Sequence, residues 1–152
     1  MTGAELLETW SAAGSKIDNL WQMYIVVHLG LFWFFFLVHR PLLITERTIA
    51  IFAYVVFAYI NGNALINAYK FFEAVRHDLV AKFTRDFVQA PETLKMLSAS
   101  SYEGRDELIW LTHIGGFTLV LTLFVLRNVM IRRYFAAYPD QNGGRQQSSL
   151  MD

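Results

Sequence analysis

Long, uninterrupted blocks of apolar residues dominate the pattern of this chain. Three blocks cover about residues 20–38, 48–69 and 108–126, and none contains a Lys, Arg, Asp or Glu. A helix that crosses a membrane requires about 20 mostly apolar residues, because the hydrocarbon layer is roughly 30 Å thick. A soluble helical bundle would instead show polar residues at every third or fourth position on its outward faces. The pattern therefore predicts an all-α integral membrane protein with three transmembrane helices.

A short connection over residues 39–46 joins the first two predicted spans. Pro41 cannot continue a helix without the loss of a backbone hydrogen bond, so it marks a break there. Thr45 is the predicted N-cap of the second helix, and Glu46 is placed favourably against the positive end of that helix. The first two spans are therefore predicted to form an antiparallel hairpin.

The segment before the first span predicts a short amphipathic helix over residues 2–13. Thr2 and Glu5 have the spacing of a capping box, and apolar residues recur on one side of the segment. Gly14 is predicted to interrupt this helix, which we expect to lie flat on the membrane surface.

The loop between the second and third spans, about residues 70–105, also has helical periodicity. Apolar residues recur at steps of three and four over residues 70–87. That stretch is either a separate surface helix or a continuation of the second span, and the unbroken pattern favours continuation. Pro91 is predicted to start a short turn of helix, and the third helix is predicted to run from near Arg105 to about Ala137.

Composition and length agree with a single membrane domain. Hydrophobic residues make up 55% of the chain, against roughly 45–50% in soluble domains. Residues 1–138 are predicted to form one domain, and the polar segment 139–152 is predicted to be a disordered tail. The acidic start of the chain does not resemble a secretory signal, so the first apolar block is expected to remain as a span.

Several classes of chemistry find no support in the sequence. The chain contains no cysteine, which excludes disulfides, thiol catalysis and cysteine-ligated metal sites. The formal net charge is zero, so nothing indicates binding to nucleic acid. Nucleotide-binding loops and the common hydrolase motifs are missing. These features favour a protein that is not an enzyme.

The distribution of Lys and Arg predicts the orientation. The side with the short connection and the tail holds six of these residues, mostly close to span ends, and the opposite side holds seven, spread among acids over a longer stretch. Because positive charge close to span ends marks the cytoplasmic side, we expect the N-terminus outside and the C-terminus in the cytoplasm. The chain is expected to cross the bacterial inner (plasma) membrane several times.

Two histidines lie inside predicted spans, where polar groups are costly and often functional. His28 lies about nine residues into the first span and His113 about six into the third, so their depths differ by roughly 5 Å. Two histidines at similar depth on different helices can ligate haem b axially, and Gly115 and Gly116 leave space beside His113. The alternatives are a quinone or lipid-headgroup pocket, or hydrogen bonds between helices.

The second span carries further polar groups on two sides. Tyr59, Asn63 and Asn67 follow one another at steps of four and share a face. Asn61 lies about 160° from Asn63 around the helix. Polar groups on both sides predict a helix buried between partners, either the other spans or another subunit. The asparagines join helices by hydrogen bonds, or they form an outward-opening polar pocket with Thr112 and the two histidines.

These features lead to one function and two alternatives. The leading hypothesis is a small non-catalytic subunit or assembly factor of a larger membrane complex, or a homo-oligomer, whose partners are lipid and other membrane subunits. The first alternative is a membrane redox subunit that binds haem or quinone through His28 and His113. The second is an oligomeric channel or transporter component, which the asparagine face of the second span would line.

Overall fold

Helices account for nearly all of the chain that the structure describes. This computed structural model describes residues 1–37, 42–85, 91–99, 101–102 and 104–137. Within these ranges the predicted all-α class is confirmed, and the helices in chain order are α1 (Gly3–Leu37), α2 (Ile44–Arg85), α3 (Pro91–Ala99) and α4 (Arg105–Ala137). The break predicted at Pro41 and the tail predicted over 139–152 lie outside the described residues.

Two of the helices, α2 and α4, are long and apolar enough to cross a membrane. α2 has 42 residues and is therefore about 63 Å long, roughly twice the thickness of the hydrocarbon layer. The predicted continuation of the second span into the following loop is thus confirmed. Over its described residues, α1 does not meet the same measure of length and apolar composition.

The start of α1 confirms the capping box but not the predicted interruption. The Thr2 amide donates to Glu5 Oε2 at 2.8 Å, and the Glu5 amide donates to Thr2 Oγ1 at 3.2 Å. The helix then continues through Gly14 to Leu37. A glycine inside a helix lowers its stability by only about 1 kcal/mol relative to alanine. The nearby residues Ala13 and Ile17 are held by packing on α2. A Cβ at position 14 would lie 3.4 Å from the Phe72 ring, so this glycine marks close packing of the helices.

The start of α2 also differs from the prediction. The helix begins at Ile44, so Thr45 lies inside its first turn and is not the N-cap. Glu46 Oε2 instead accepts a hydrogen bond from the Leu43 amide at 2.9 Å. A carboxylate in the first turn is stabilised there by the positive end of the helix, so the role predicted for Glu46 is retained.

α2 is the central element, and the other three helices pack against it. Three clusters of buried side chains hold them together. The first cluster joins α1 and α3 to the C-terminal part of α2. The second joins α1 and α4 to α2, and the third joins α4 to the N-terminal half of α2. Their central members are Leu6, Leu79 and Leu97; Ile17, Leu65 and Ile109; and Tyr54, Val120 and Phe124.

A buried ion pair fixes α3 to α2 beyond the predicted membrane span. Arg76 is 5% exposed and binds both carboxylate oxygens of Glu73 and the carbonyl oxygen of Leu97. The hydrogen bonds from Arg76 hold the pKa of Glu73 below its ordinary value of 4.5, because they stabilise the charged carboxylate. The guanidinium thereby satisfies a carbonyl group at the C-terminal end of α3, where backbone acceptors lack helical partners.

Candidate functional site

The two histidines predicted from the sequence lie on either side of a tyrosine. The ring centroid of Tyr24 is 4.1 Å from that of His28 and 4.5 Å from that of His113. The Tyr24 hydroxyl donates to the backbone carbonyl of Thr112 at 3.0 Å. Thr112 therefore contributes its carbonyl oxygen to this group, while its hydroxyl donates to Leu108 within α4. The structure brings α1 and α4 together at the depth where the sequence placed both histidines.

Both ring nitrogens of His28 have a hydrogen-bond partner. Its Nδ1 lies 2.7 Å from the carbonyl oxygen of Tyr24, and its Nε2 lies 2.6 Å from the hydroxyl of Tyr54. The carbonyl can only accept, so Nδ1 carries the proton and Nε2 accepts from the Tyr54 hydroxyl. Tyr54 is 3% exposed, and its bond to His28 joins α2 to α1.

His113 is surrounded differently, because both of its ring nitrogens face acceptors. Its Nδ1 lies 2.8 Å from the carbonyl oxygen of Ile109, and its Nε2 lies 3.0 Å from Asn61 Oδ1. Asn61 Nδ2 is meanwhile engaged with the carbonyl oxygen of Leu20 at 3.2 Å. A neutral imidazole has one N–H and satisfies one of its two acceptors. A neutral His113 therefore makes one of these two bonds, either to Asn61 Oδ1 or to the carbonyl oxygen of Ile109.

One of two adjacent glycines, Gly116, makes room for this network. A Cβ at Gly116 would lie 2.7 Å from His28 Nε2 and 3.2 Å from the Tyr54 hydroxyl, and closer still to the hydroxyl of Tyr24. Real Cβ atoms do not approach heavy atoms closer than 3.0 Å, so any side chain at 116 would displace these groups. Gly115 has no neighbour within 4 Å of a Cβ. Of the glycine pair noted in the sequence, Gly116 therefore serves the site and Gly115 does not.

The opposite face of α2 is more exposed, although its Tyr59 ring lies beside Trp110 of α4, with ring centroids 6.4 Å apart. Tyr59 is 64% exposed, Asn67 is exposed and Asn63 is partly exposed. Asn63 Nδ2 donates to the carbonyl oxygen of Tyr59, one turn earlier in the same helix, at 2.8 Å. We call the surface formed by Tyr59, Asn63 and Asn67 the outer polar face. The two sides of α2 predicted from the helical period thus have different surroundings, with Asn61 inside the bundle and the outer polar face outside it.

Binding of haem between the two histidines meets an obstacle in this arrangement. The Tyr24 ring occupies the space between the imidazoles, and each Nε2 already has a hydrogen-bond partner. Axial ligation uses a free nitrogen lone pair from each histidine, so Tyr24 and two hydrogen bonds would have to be displaced. Among the described residues, three or more metal-ligating side chains do not come together.

The sequence reasoning did not include Tyr24 and Tyr54, which complete the network. Each could have been found from its spacing. Tyr24 precedes His28 by four residues, and Tyr54 precedes Asn61 by seven, so each pair shares one helical face. Trp21 adds a further bond between α1 and α2, because its indole nitrogen donates to the Tyr69 hydroxyl at 3.1 Å.

Comparison of this chain with protein-family models, with curated proteins and with solved structures finds no match. Its function is therefore inferred from the placement of its own side chains.

Proposed function

We propose that this chain is a small, non-catalytic integral membrane subunit that assembles with a further transmembrane helix through the outer polar face of α2. The observation that carries the proposal is the position of Asn63, which is partly exposed on a helix long and apolar enough to span a membrane. An amide in contact with hydrocarbon is unfavourable, and side-chain amides commonly form hydrogen bonds between membrane helices.

The surroundings of the outer polar face support a protein neighbour. Large apolar side chains continue the same face toward the start of α2, where Phe52 is 69% and Val56 is 40% exposed. A helix that packs there would cover apolar surface and supply hydrogen bonds to the amides. Because an asparagine amide both donates and accepts, the same face of a second copy is a complementary surface.

The proposed topology has three spans, with α1 crossing the membrane beside α2 and α4. Its support is the contact of α1 with both helices at the level of the histidines and the uncharged block over residues 20–38. The N-terminus lies outside, the C-terminus lies in the cytoplasm, and the membrane is the bacterial inner membrane. In this topology the Tyr24, His28, Tyr54, Asn61 and His113 network joins the three spans and has a structural role.

The proposal is tested by measuring the mass of the assembly in detergent for the wild type and for two variants. Asn63→Leu removes the amide of the outer polar face. Thr118→Val is the matched control, because Thr118 is also exposed and also bonds a carbonyl group one turn back, on α4. Asn63→Leu is expected to shift the assembly toward the monomer, and Thr118→Val is expected to leave it intact. A wild type that is already a stable, partnerless monomer would overturn the proposal.

A second candidate function is the binding of a quinone in a groove between α2 and α4. The groove has a volume of about 290 Å³ and is lined by apolar and aromatic side chains, with His113 and Tyr59 among them. Trp110 forms one of its walls, so a bound quinone would quench the fluorescence of that indole. Titration of the detergent-solubilised protein with a short-chain quinone tests this function, because Trp110→Phe would remove the quenched signal. Equal quenching in the variant would contradict it.

A further inference from the structure

A cleft of about 500 Å³ lies between α1, α2 and the start of α4, away from the histidine network. Its walls include Trp10 and Asp18 of α1, Tyr69 and Phe72 of α2, and Tyr102 and Arg105 at the start of α4. The α1 residues precede the first apolar block, and the α2 and α4 residues lie at the outer ends of theirs. In the three-span topology proposed above, on which this inference rests, the cleft lies at the level of the lipid headgroups.

The cleft carries one charge of each sign. Arg105 and Asp18 are both exposed, and within the described part of the chain neither forms an ion pair. The Arg105 guanidinium lies 4.4 Å from the centre of the Tyr102 ring and 5.9 Å from that of Tyr69. These rings hold the guanidinium by cation–π attraction and leave its N–H groups available for an anion.

The remaining walls suit a positively charged group. Trp10 and Phe72 lie in contact, with ring centroids 5.0 Å apart, and aromatic faces attract ammonium groups. The Trp10 indole N–H is buried without a hydrogen-bond acceptor among the described residues.

We propose that this cleft binds the headgroup of a zwitterionic phospholipid. Arg105 holds the phosphodiester, and Asp18 with the neighbouring aromatic rings holds the ammonium group. The balance of charges in the cleft matches a ligand with one negative and one positive group. An anionic phospholipid such as phosphatidylglycerol would find the Arg105 site but would place no cation beside Asp18.

The experiment uses the full-length protein reconstituted in vesicles of equal parts phosphatidylethanolamine and phosphatidylglycerol with identical acyl chains. Lipids that remain bound after gentle extraction are counted by native mass spectrometry. Wild type is expected to retain the zwitterionic lipid about three- to fivefold over the anionic one, the range that an exposed ion pair and a cation–π contact supply together. Arg105→Gln is expected to lose both lipids, and Asp18→Asn is expected to lose the preference.

Matched controls carry the same changes of charge outside the cleft. Lys16→Gln and Glu8→Gln alter exposed residues of α1 and are expected to retain the wild-type ratio. Glycerophosphoethanolamine, added in solution, distinguishes a soluble zwitterion from a lipid as the ligand. A site for the free headgroup would exchange its bound lipid for this compound, whereas a site for the lipid would keep it. Equal retention of the two lipids by the wild type would overturn the proposal, as would an unchanged ratio in Asp18→Asn or wild-type retention of lipid by Arg105→Gln. Each ratio is read from the lipid-bound mass of whichever assembly is present, so it does not depend on the outer polar face.

Discussion

Asn61 and His113 are joined by a hydrogen bond of 3.0 Å between Oδ1 and Nε2, and this bond links the two helices that are most clearly able to span a membrane. Both side chains are almost fully buried, at 3% and 2% exposure. Two residues further along α2, Asn63 donates to the Tyr59 carbonyl oxygen of its own helix. One asparagine, Asn61, therefore lies inside the bundle, and the other, Asn63, lies at its surface.

We expect Asn61→Ala to destabilise the folded chain by about 1–2 kcal/mol, because it removes one bond to α4 and one to α1. Asn63→Ala is the control, and its effect on the folded chain is expected to stay below about 0.5 kcal/mol, as for other surface changes. Unfolding in mixed micelles measures both. A double-mutant cycle with His113→Ala isolates the pair, and equal losses for the two asparagine variants would contradict this assignment.

The adjacent glycines of α4 provide a second matched pair. Gly116→Ala would drive a methyl group into the hydroxyl groups of Tyr24 and Tyr54 and into His28, which is expected to cost about 1–3 kcal/mol of stability. Gly115→Ala meets open space, so it is expected to be neutral or to stabilise the helix by up to about 1 kcal/mol. Thermal unfolding of the two variants in the same detergent measures the difference. Similar melting temperatures would show that Gly116 is not closely packed.

The Glu73–Arg76 pair predicts a loss of stability in acid. The pKa of Glu73 is lowered below 4.5 in the folded chain, chiefly by its hydrogen bonds from Arg76. A lowered pKa stabilises the fold fully above the unfolded value, and that contribution disappears as the pH falls through the folded value. We therefore expect the protection of α3 amides from hydrogen exchange, after correction for the intrinsic exchange rate at each pH, to fall below about pH 4.5. Glu73→Gln is expected to lose this pH dependence, while the exposed Glu92→Gln retains it. A wild type and a Glu73→Gln variant with identical pH profiles would contradict the role of the pair.

The arrangement of Tyr24 also predicts the outcome of a haem titration. Because the Tyr24 ring fills the space between His28 and His113, we expect the purified, haem-supplemented protein to show no bis-histidine Soret band before or after reduction. A band that sharpens with dithionite and is lost in both His28→Ala and His113→Ala would instead make this chain a membrane cytochrome. That result would also require Tyr24 to move.

Periodicity and capping chemistry predicted much of the fold. Pro91 and Arg105 begin their helices as expected, and α2 continues past the span because nothing in its pattern stops it. The break predicted at Gly14 was wrong. Glycine weakens an isolated helix, but it also permits close packing between helices, and the contact with Phe72 shows that packing applies here. Local sequence does not contain that information.

The residues of the candidate site could be predicted from the sequence, but the contacts between them could not. The helical period predicted Asn61 and Asn63 on different sides of α2, and the positions of His28 and His113 within their apolar blocks predicted that the two residues lie in one layer. The phenol between the histidines depends on how α1 is rotated against α4, which spacing along one helix does not determine. The two acceptors around His113 depend on the same rotation. The histidines that suggested a cofactor site from their sequence positions are therefore found in hydrogen bonds between helices.

The most direct test of the proposed assembly uses the absence of cysteine from the chain. Asn63→Cys and Thr118→Cys are each labelled with benzophenone maleimide in native membranes and irradiated, and the products are separated by mass. The account predicts a discrete product from position 63, at twice the monomer mass for a second copy or at a larger defined mass for a different subunit, and only monomer from position 118. Monomer alone from both positions would contradict the claim that the outer polar face is an assembly surface.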